Sequence, residues 1–168
     1  MSYKVFIITG VSGCGKTTVG EALAKELGTS FYDGDQFHPA SNIAKMSAGI
    51  PLTDEDRTPF LKSINNFIRE KLPTENIVIA CSALKDKYRD ILSEGVDPLQ
   101  LVWIHLQGSY DTIYERMTKR EGHFMSAAML RSQFETYEAP TKGIIVNIDQ
   151  ALEQMIDQIM AEVKSYRS

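Results

Sequence analysis

The segment at residues 10–17, GVSGCGKT, constrains the fold of this chain more than any other part of its sequence. It matches the pattern G-x-x-x-x-G-K-[ST] and follows a nearly continuous apolar run at residues 4–9. After it, apolar residues recur at helical spacing from Val19 to Leu27, and Gly28 is placed to end that helix in a left-handed cap. A buried strand, a glycine-rich turn and a helix are therefore predicted in succession. In that setting the pattern predicts a loop that wraps phosphate groups.

The residues of this loop have expected roles in binding a nucleoside triphosphate. Lys16 would neutralise the β- and γ-phosphates, and Thr17 would offer its hydroxyl to Mg²⁺. Nucleotide contacts are expected from Gly10, Val11, Ser12, Gly13, Cys14, Gly15, Lys16, Thr17 and Thr18. Cys14 is expected to be a small filler whose thiol pKa the helix N-terminus could lower. The alternative is a glycine-rich turn with a solvated lysine, which the strand–loop–helix setting disfavours.

Length and composition favour a single globular domain. A chain of 168 residues can bury one sizeable core, so residues 1–168 are expected to form one domain. Eighteen Lys and Arg against 22 Asp and Glu give a net charge of -4, which argues against a nucleic-acid partner. No stretch is long and apolar enough for a membrane span, and Cys14 and Cys81 have neither disulfide nor zinc spacing. We expect a cytoplasmic protein that binds small anions at a local cluster.

Short apolar runs alternate with helical patterns along the chain, which predicts a largely parallel sheet. Five strands are expected, at residues 4–9, 30–32, 77–80, 99–106 and 143–148. The predicted fold class is α/β: a three-layer α/β/α sandwich with a five-stranded, mostly parallel sheet. A polar insertion at about residues 36–72 is expected to form helices over the sheet edge. One of these helices would begin at Thr58 and Pro59, or earlier if Thr53 caps it.

Two carboxylates follow the second predicted strand. Asp33 and Asp35 lie at its carboxyl end, which is the edge where open α/β sheets bind ligands. Phosphoryl transfer to an alcohol needs the acceptor close to a carboxylate. We expect the pair to alternate along an extended segment, so that one carboxylate serves Mg²⁺ and the other a substrate hydroxyl. The alternative is an exposed turn without a ligand.

Longer motifs in the insertion and beyond it resemble the gluconokinase family. They are DGDQFHPASNIAKM at 33–46, GIPLTDEDRTP at 49–59, CSALKDKYRD at 81–90, GHFM at 122–125 and QFE at 133–135. With the phosphate loop they cover most of the chain. The resemblance implies ATP-dependent phosphorylation of D-gluconate to 6-phosphogluconate, in the fold that nucleoside monophosphate kinases and shikimate kinases share. It is also compatible with a homodimer.

The resemblance also implies roles for individual residues. Asp35 would meet the acceptor hydroxyl, and Asp33 would lie on the magnesium side. The implied substrate-binding residues are Asp35, His38, Arg57, Lys85, Arg89, His123 and Gln133. A polyhydroxy acid favours a guanidinium and short polar groups, and Lys85 and Arg89 could share a helix face at i, i+4 spacing. Without a ligand, that face would be a solvated helix surface.

A basic cluster precedes a segment with a glycine and no apolar periodicity, and this combination predicts a mobile lid at about residues 119–127. The cluster is Arg116, Lys119 and Arg120. In kinases of this type such arginines close over the phosphates. The resemblance makes Arg120 the transition-state candidate beside the catalytic Lys16 and Asp35, with Arg116 nearer the base. Alternatively, the cluster only complements the helix dipole.

Further expectations concern the end of the last strand and a histidine. Asn147 and Asp149 are expected to border the adenine, although Asp149 could instead cap the last helix. His105, inside the fourth predicted strand, is expected to be a structural histidine.

Two positions depart from the family pattern. Cys81 and Ser82 follow the third strand, where many P-loop enzymes have an aspartate, and Phe60 stands where a tryptophan is expected.

The competing interpretations are a kinase of the same fold that acts on shikimate or a nucleoside monophosphate, and a nucleotide-dependent regulatory switch. The absence of an Asn-Lys-x-Asp guanine signature disfavours the switch.

Overall fold

The five predicted strands are all present in the computed structural model, which describes residues 3–119 and 127–165. They are β1 (Val5–Thr9), β2 (Ser30–Asp33), β3 (Ile77–Ala80), β4 (Leu101–Gln107) and β5 (Ile144–Asn147). Each pairs in parallel with its neighbours, in the spatial order β2-β3-β1-β4-β5. Parallel strands need crossover connections, and the helices between them supply these connections. The predicted α/β fold with a five-stranded parallel sheet is confirmed.

Seven α-helices are described: α1 (Lys16–Leu27), α2 (Ala40–Ser47), α3 (Asp54–Lys71), α4 (Asp86–Ser93), α5 (Tyr110–Thr118), α6 (Ala127–Thr136) and α7 (Leu152–Ser165). Two neighbouring residues of β2 show that helices cover both faces of the sheet. The Phe31 ring lies where a Cβ on Gly20 of α1 would stand, whereas the Tyr32 ring meets Phe67 of α3 at 4.7 Å between centroids. Because successive strand side chains point to opposite faces, α1 and α3 form opposite layers.

The central strand β1 lies in the middle of the core. Its Val5, Ile7 and Ile8 have no exposed surface. A strand with a neighbour on each side and helices on both faces has no polar side to present, which explains the continuous apolar run in the sequence. The strand therefore fixes where the following loop begins.

The start of α3 differs from the first of the two expected boundaries. Thr53 caps the helix in a capping box: its Oγ1 accepts from the Asp56 amide at 3.1 Å, and the Asp56 carboxylate accepts from the Thr53 amide at 2.9 Å. The start at Thr58 and Pro59 is therefore wrong, and Pro59 lies exposed inside the helix. Two satisfied amides at the true N-terminus outweigh the preference of proline for a first turn.

The predicted lid at residues 119–127 falls almost wholly outside the described residues. Arg120 and His123 lie in that gap, so their predicted roles remain predictions. Within the described parts of the chain, no helix has the length and apolar character needed to cross a membrane.

Candidate active site

A cavity of about 850 Å³ opens at the carboxyl edge of the sheet, beyond the ends of β1, β2 and β3. The predicted residues that line it are Ser12, Gly13, Gly15, Lys16, Thr17, Thr18, Asp33, Asp35, His38, Arg57 and Gln133. The phosphate loop and the acidic pair thus share one cavity, although they lie about twenty residues apart in the sequence. Parallel topology brings them together because it aligns the strand ends at one edge.

The loop between β1 and α1 has the backbone geometry that its glycines allow. Gly10, Gly13 and Gly15 have φ values of 147°, 79° and 97°, which side chains rarely permit. An added Cβ on Gly15 would meet nothing within 4 Å, so the loop is open towards the cavity. The Lys16 ammonium donates to the carbonyl oxygens of Gly10 and Val11, at 3.0 Å each. A flexible cation therefore lies across an open loop at a helix N-terminus, an arrangement that suits a phosphate chain.

Cys14 packs on the inner side of this loop. Its side chain is 1% exposed, and burial raises the pKa of its thiol. The expectation that the helix N-terminus lowers this pKa is wrong, because desolvation outweighs the nearby charge of Lys16. Gly10, Val11 and Cys14 do not line the cavity, so the nucleotide contacts expected of these three residues remain predictions.

The acidic pair stands on a turn and not on an extended segment, which corrects the expected geometry. Residues Gly34–Phe37 form a short 3₁₀ helix, and the Asp33 carboxylate accepts from the Asp35 amide at 2.9 Å. A Cβ on Gly34 would stand 2.2 Å from the carbonyl oxygen of Ala80, so only glycine allows this close packing on β3. Both carboxylates still line the cavity, and the Asp35 side chain is 74% exposed.

His38 forms a stacked pair with Phe60 at the cavity wall. The ring centroids are 3.6 Å apart and the planes differ by 10°, so phenylalanine provides the aromatic surface expected of a tryptophan. The Asn42 amide lies 3.2 Å from Nδ1 of His38, and Nε2 faces the Asp35 carboxylate at 3.9 Å. Burial lowers the pKa of His38, which favours a neutral ring beside Asp35.

Arg57 and Lys16 are the Arg and Lys residues that line the cavity among the described residues. Arg57 lies in the first turns of α3, and its guanidinium donates to the Tyr88 hydroxyl at 2.9 Å. Lys16 belongs to the phosphate loop, so the two cations lie on different elements. The cavity therefore has one cation placed where a phosphate group would fit and a second cation that can meet an acidic group.

Known proteins share these features. The shikimate kinase family model matches residues 12–164. The thermosensitive gluconokinase of Escherichia coli K12 is 49% identical over 152 residues, which cover 89% of this chain and 80% of that protein. The thermoresistant gluconokinase of the same organism is 41% identical over 167 residues, with 96% and 94% covered. A crystal structure of a gluconokinase from Sinorhizobium meliloti 1021 superposes with a TM-score of 0.84 at 41% identity, covering 98% of this chain and 97% of that one.

The chain belongs to the gluconokinase family. Its likeness to the shikimate kinase of Aquifex aeolicus, at 15% identity and a TM-score of 0.58, is a likeness of fold alone. The recognition made from the insertion motifs is confirmed, and so is the expectation of a kinase.

Two basic residues that the family resemblance suggested for the substrate lie elsewhere in this kinase. Arg89 is 8% exposed, and its guanidinium donates to the carbonyl oxygens of Ala83, Leu84 and Glu138 and to the Asp86 carboxylate. It does not line the cavity, and its donors are occupied by the chain itself. The structure therefore gives Arg89 a structural position, and we do not propose it as a substrate group.

Lys85 is the second of these residues. It precedes the first residue of α4, and its ammonium lies 3.4 Å from the Asp54 carboxylate, outside the cavity lining. It does not share a ligand-binding helix face with Arg89, because the two side chains have different partners.

Gln133 and Arg116 bond to the two segments where nucleotide contacts were expected, the phosphate loop and the turn after β5. Gln133 lines the cavity, but its side chain bonds to Ser12 of the phosphate loop. Arg116 donates to the carbonyl oxygen of Ile148 at 2.8 Å, next to the turn where an adenine contact was expected. In that turn the Asn147 side chain accepts from the Asp149 amide at 2.8 Å. Asp149 does not cap α7, which begins three residues later, so that alternative is wrong.

His105 is a buried structural histidine, as expected. Its Nδ1 lies 2.5 Å from the Thr9 hydroxyl on the neighbouring strand, and burial lowers its pKa to about 4. It does not line the cavity.

Two residues near Arg57 were not found from the sequence. Tyr88 lines the cavity, and Asp54 lies behind it and binds its hydroxyl. Tyr88 is next to Arg89 in a motif that the family resemblance already marked. Which of these two side chains faces the cavity depends on how α4 is rotated about its own axis. The apolar pattern of one short helix is not enough to predict that rotation from the sequence.

Proposed function

We propose that this kinase transfers the γ-phosphoryl group of ATP to the terminal hydroxyl of gluconate, giving 6-phosphogluconate and ADP. The observation that carries the proposal is the single cavity shared by Lys16 of the phosphate loop, Asp35 and Arg57. This set can hold a triphosphate, an alcohol and a carboxylate together. The relatives named gluconokinase, at 40–49% identity over most of the chain, support the choice of sugar acid.

The chain's own residues supply positioning and charge in this reaction. The loop amides and Lys16 hold the phosphates, and Lys16 exchanges its two carbonyl partners for phosphate oxygens. Asp35 accepts the proton of the acceptor hydroxyl while that oxygen forms a bond to the γ-phosphorus. The bond from the γ-phosphorus to the bridging oxygen breaks, and ADP leaves with the electron pair. Arg120, outside the described residues, is proposed to meet the transition-state charge.

Thr17 and Asp33 are suited to hold Mg²⁺ together with ATP. Both line the cavity, and a hydroxyl and a carboxylate are the hard oxygen donors that this ion prefers. When bound, Mg²⁺ would neutralise phosphate charge and help orient the γ-phosphate. Among residues 3–119 and 127–165 no cluster of three or more His, Cys, Asp or Glu could hold a metal ion alone. The ion would therefore share its coordination with phosphate oxygens and water.

A coupled ADP-release assay tests this function across gluconate, related sugar acids, shikimate and nucleoside monophosphates. We expect gluconate to give the highest kcat/KM. Asp35→Asn should lower kcat by roughly 100-fold or more, because the hydroxyl proton loses its acceptor, while calorimetric ATP affinity is retained. Asp157→Asn removes an exposed carboxylate on α7 and serves as the matched control.

Three results would contradict the proposal. Preferred turnover of shikimate or a nucleoside monophosphate would assign another acceptor. ATP hydrolysis that no acceptor stimulates would favour a regulatory switch. Full activity of Asp35→Asn would exclude its proposed role.

A further inference from the structure

A chain of hydrogen bonds links the acceptor side of the cavity to the surface between α3 and α4. The Arg57 guanidinium donates to the Tyr88 hydroxyl at 2.9 Å, and that hydroxyl donates to the Asp54 carboxylate. Arg57 and Tyr88 line the cavity, whereas Asp54 does not. The chain therefore runs from a cation that can meet the acceptor to an anion placed behind it.

The direction of these bonds is fixed by the protonation of each group. Burial raises the pKa of Tyr88 to about 12, so its hydroxyl keeps its proton. Hydrogen bonds from Lys87 and Tyr88 hold the pKa of Asp54 well below its usual range, so this carboxylate can only accept. The single hydroxyl proton of Tyr88 is donated in the hydrogen bond to Asp54, so the lone pairs of the Tyr88 oxygen are left to accept from Arg57.

The two nearby lysines are held by the same carboxylate. Lys87 donates to one oxygen of Asp54, and Lys85 lies 3.4 Å from the other. Neither lysine lines the cavity, although the Lys85 ammonium lies 5.7 Å from the centroid of the Tyr88 ring. Arg57, whose central carbon lies 5.2 Å from the Tyr88 ring centroid, is left as the guanidinium that faces the acceptor.

We propose that Tyr88 and Asp54 are positioning residues that make the kinase selective for an acceptor with a carboxylate, because they fix the orientation of the Arg57 guanidinium. The inference rests on the proposed function and deepens it. A guanidinium binds a carboxylate best through two parallel N–H bonds, which require a defined plane. The hydrogen bond to the Tyr88 hydroxyl holds one NH₂ group of Arg57, and the nearby Tyr88 ring restricts rotation of the guanidinium. The remaining N–H donors of Arg57 therefore keep a fixed orientation.

The alternative is that the chain only ties α3 to α4. A purely structural bond would affect every acceptor equally when removed. A positioning role for the carboxylate would affect a carboxylate acceptor more than its uncharged analogue. Gluconamide is that analogue, because it has the hydroxyl groups of gluconate and a carboxamide in place of the carboxylate.

The test compares kcat/KM for gluconate and for gluconamide in the wild type, Tyr88→Phe and Asp54→Asn. We expect Tyr88→Phe to lower the value for gluconate roughly tenfold, mainly through KM, and the value for gluconamide less than twofold. Asp54→Asn should likewise lower the ratio of kcat/KM for gluconate to kcat/KM for gluconamide. The KM for ATP should not change in either variant. Tyr137→Phe removes another partly buried hydroxyl, which accepts from Gln107, and should leave the ratio unchanged.

The outcomes separate this inference from the proposed function. Equal losses for both acceptors in Tyr88→Phe, or a wild type that uses gluconamide as well as gluconate, would overturn the inference alone. A wild type that does not phosphorylate gluconate would overturn the proposed function and this inference with it. If thermal unfolding shows that Tyr88→Phe does not fold, the test rests on the ratio of kcat/KM for the two acceptors in Asp54→Asn, because Asp54 lies outside the cavity.

Discussion

Both polar groups of the Gln133 side chain bond to Ser12. The side-chain oxygen accepts from the Ser12 amide at 2.7 Å, and the side-chain nitrogen donates to the Ser12 hydroxyl at 3.1 Å. Ser12 belongs to the phosphate loop, and Gln133 lies on α6, which follows the predicted lid in the chain. The two bonds connect the loop to a helix that is 121 residues away in the sequence. Gln133 therefore stabilises the loop, in addition to lining the cavity.

Gln133→Ala should weaken ATP binding. Two hydrogen bonds that each contribute about 0.5–1.5 kcal/mol are lost, and the loop must then be ordered by the nucleotide itself. We expect the Kd for Mg-ATP in calorimetry to rise by roughly five- to 150-fold, with little change in the KM for gluconate. Gln158→Ala removes a glutamine that bonds to the Ile145 carbonyl far from the loop, and it is the control. An unchanged Kd in Gln133→Ala would contradict this role.

Gly34→Ala should disturb catalysis through the backbone. The added Cβ would stand 2.2 Å from the Ala80 carbonyl oxygen, so the turn that holds Asp33 and Asp35 must shift. We expect a loss of about 1–3 kcal/mol in the free energy of unfolding and a clear drop in kcat. Gly49→Ala is the control, because it has the strain of a φ of 75° but no atom within 4 Å of its Cβ. It should lower stability without lowering kcat, and a Gly34→Ala enzyme with normal kcat would contradict the argument.

Features set by local patterns were predictable from the sequence. The strand before the phosphate loop, the loop itself and the left-handed cap at Gly28 each follow from apolar periodicity or from glycine chemistry within a few residues. The alternation of strands and helices then gave the parallel sheet, and the sheet edge gave the place of the cavity. These steps need no knowledge of long-range packing.

Features that depend on packing between elements were not predictable. The turn at Asp33 and Asp35 depends on the close approach of Gly34 to β3, and no local sequence pattern predicts that approach. The choice between Tyr88 and Arg89 for the cavity depends on how α4 is rotated against α3. The bond between Gln133 and Ser12 depends on where α6 lies after the lid. Each requires a contact between residues that are distant in the sequence.

Thr53→Ala should destabilise the start of α3. The Thr53 hydroxyl accepts from the Asp56 amide, and its loss leaves that helix amide without its side-chain partner. We expect the free energy of unfolding, measured with urea, to fall by about 1 kcal/mol. Thr74→Ala is the control, since Thr74 lies beyond the end of the same helix and its exposed hydroxyl donates to the carbonyl oxygen of Lys71, the last helical residue. Equal effects of the two substitutions would show that the cap has no special contribution.

Stability should depend on pH through the buried His105. Its pKa is lowered from 6.5 to about 4 by burial, so between these values the unfolded chain binds a proton that the folded chain excludes. The free energy of unfolding should therefore fall as pH is lowered from about 6.5 to about 4, with a slope from this group of at most about 1.4 kcal/mol per pH unit. His38, whose pKa burial also lowers, adds a slope of the same sign. Urea unfolding at several pH values should give a shallower slope for His105→Gln than for the wild type, whatever the variant's stability at neutral pH. Parallel slopes would mean that His105 does not titrate as its burial requires.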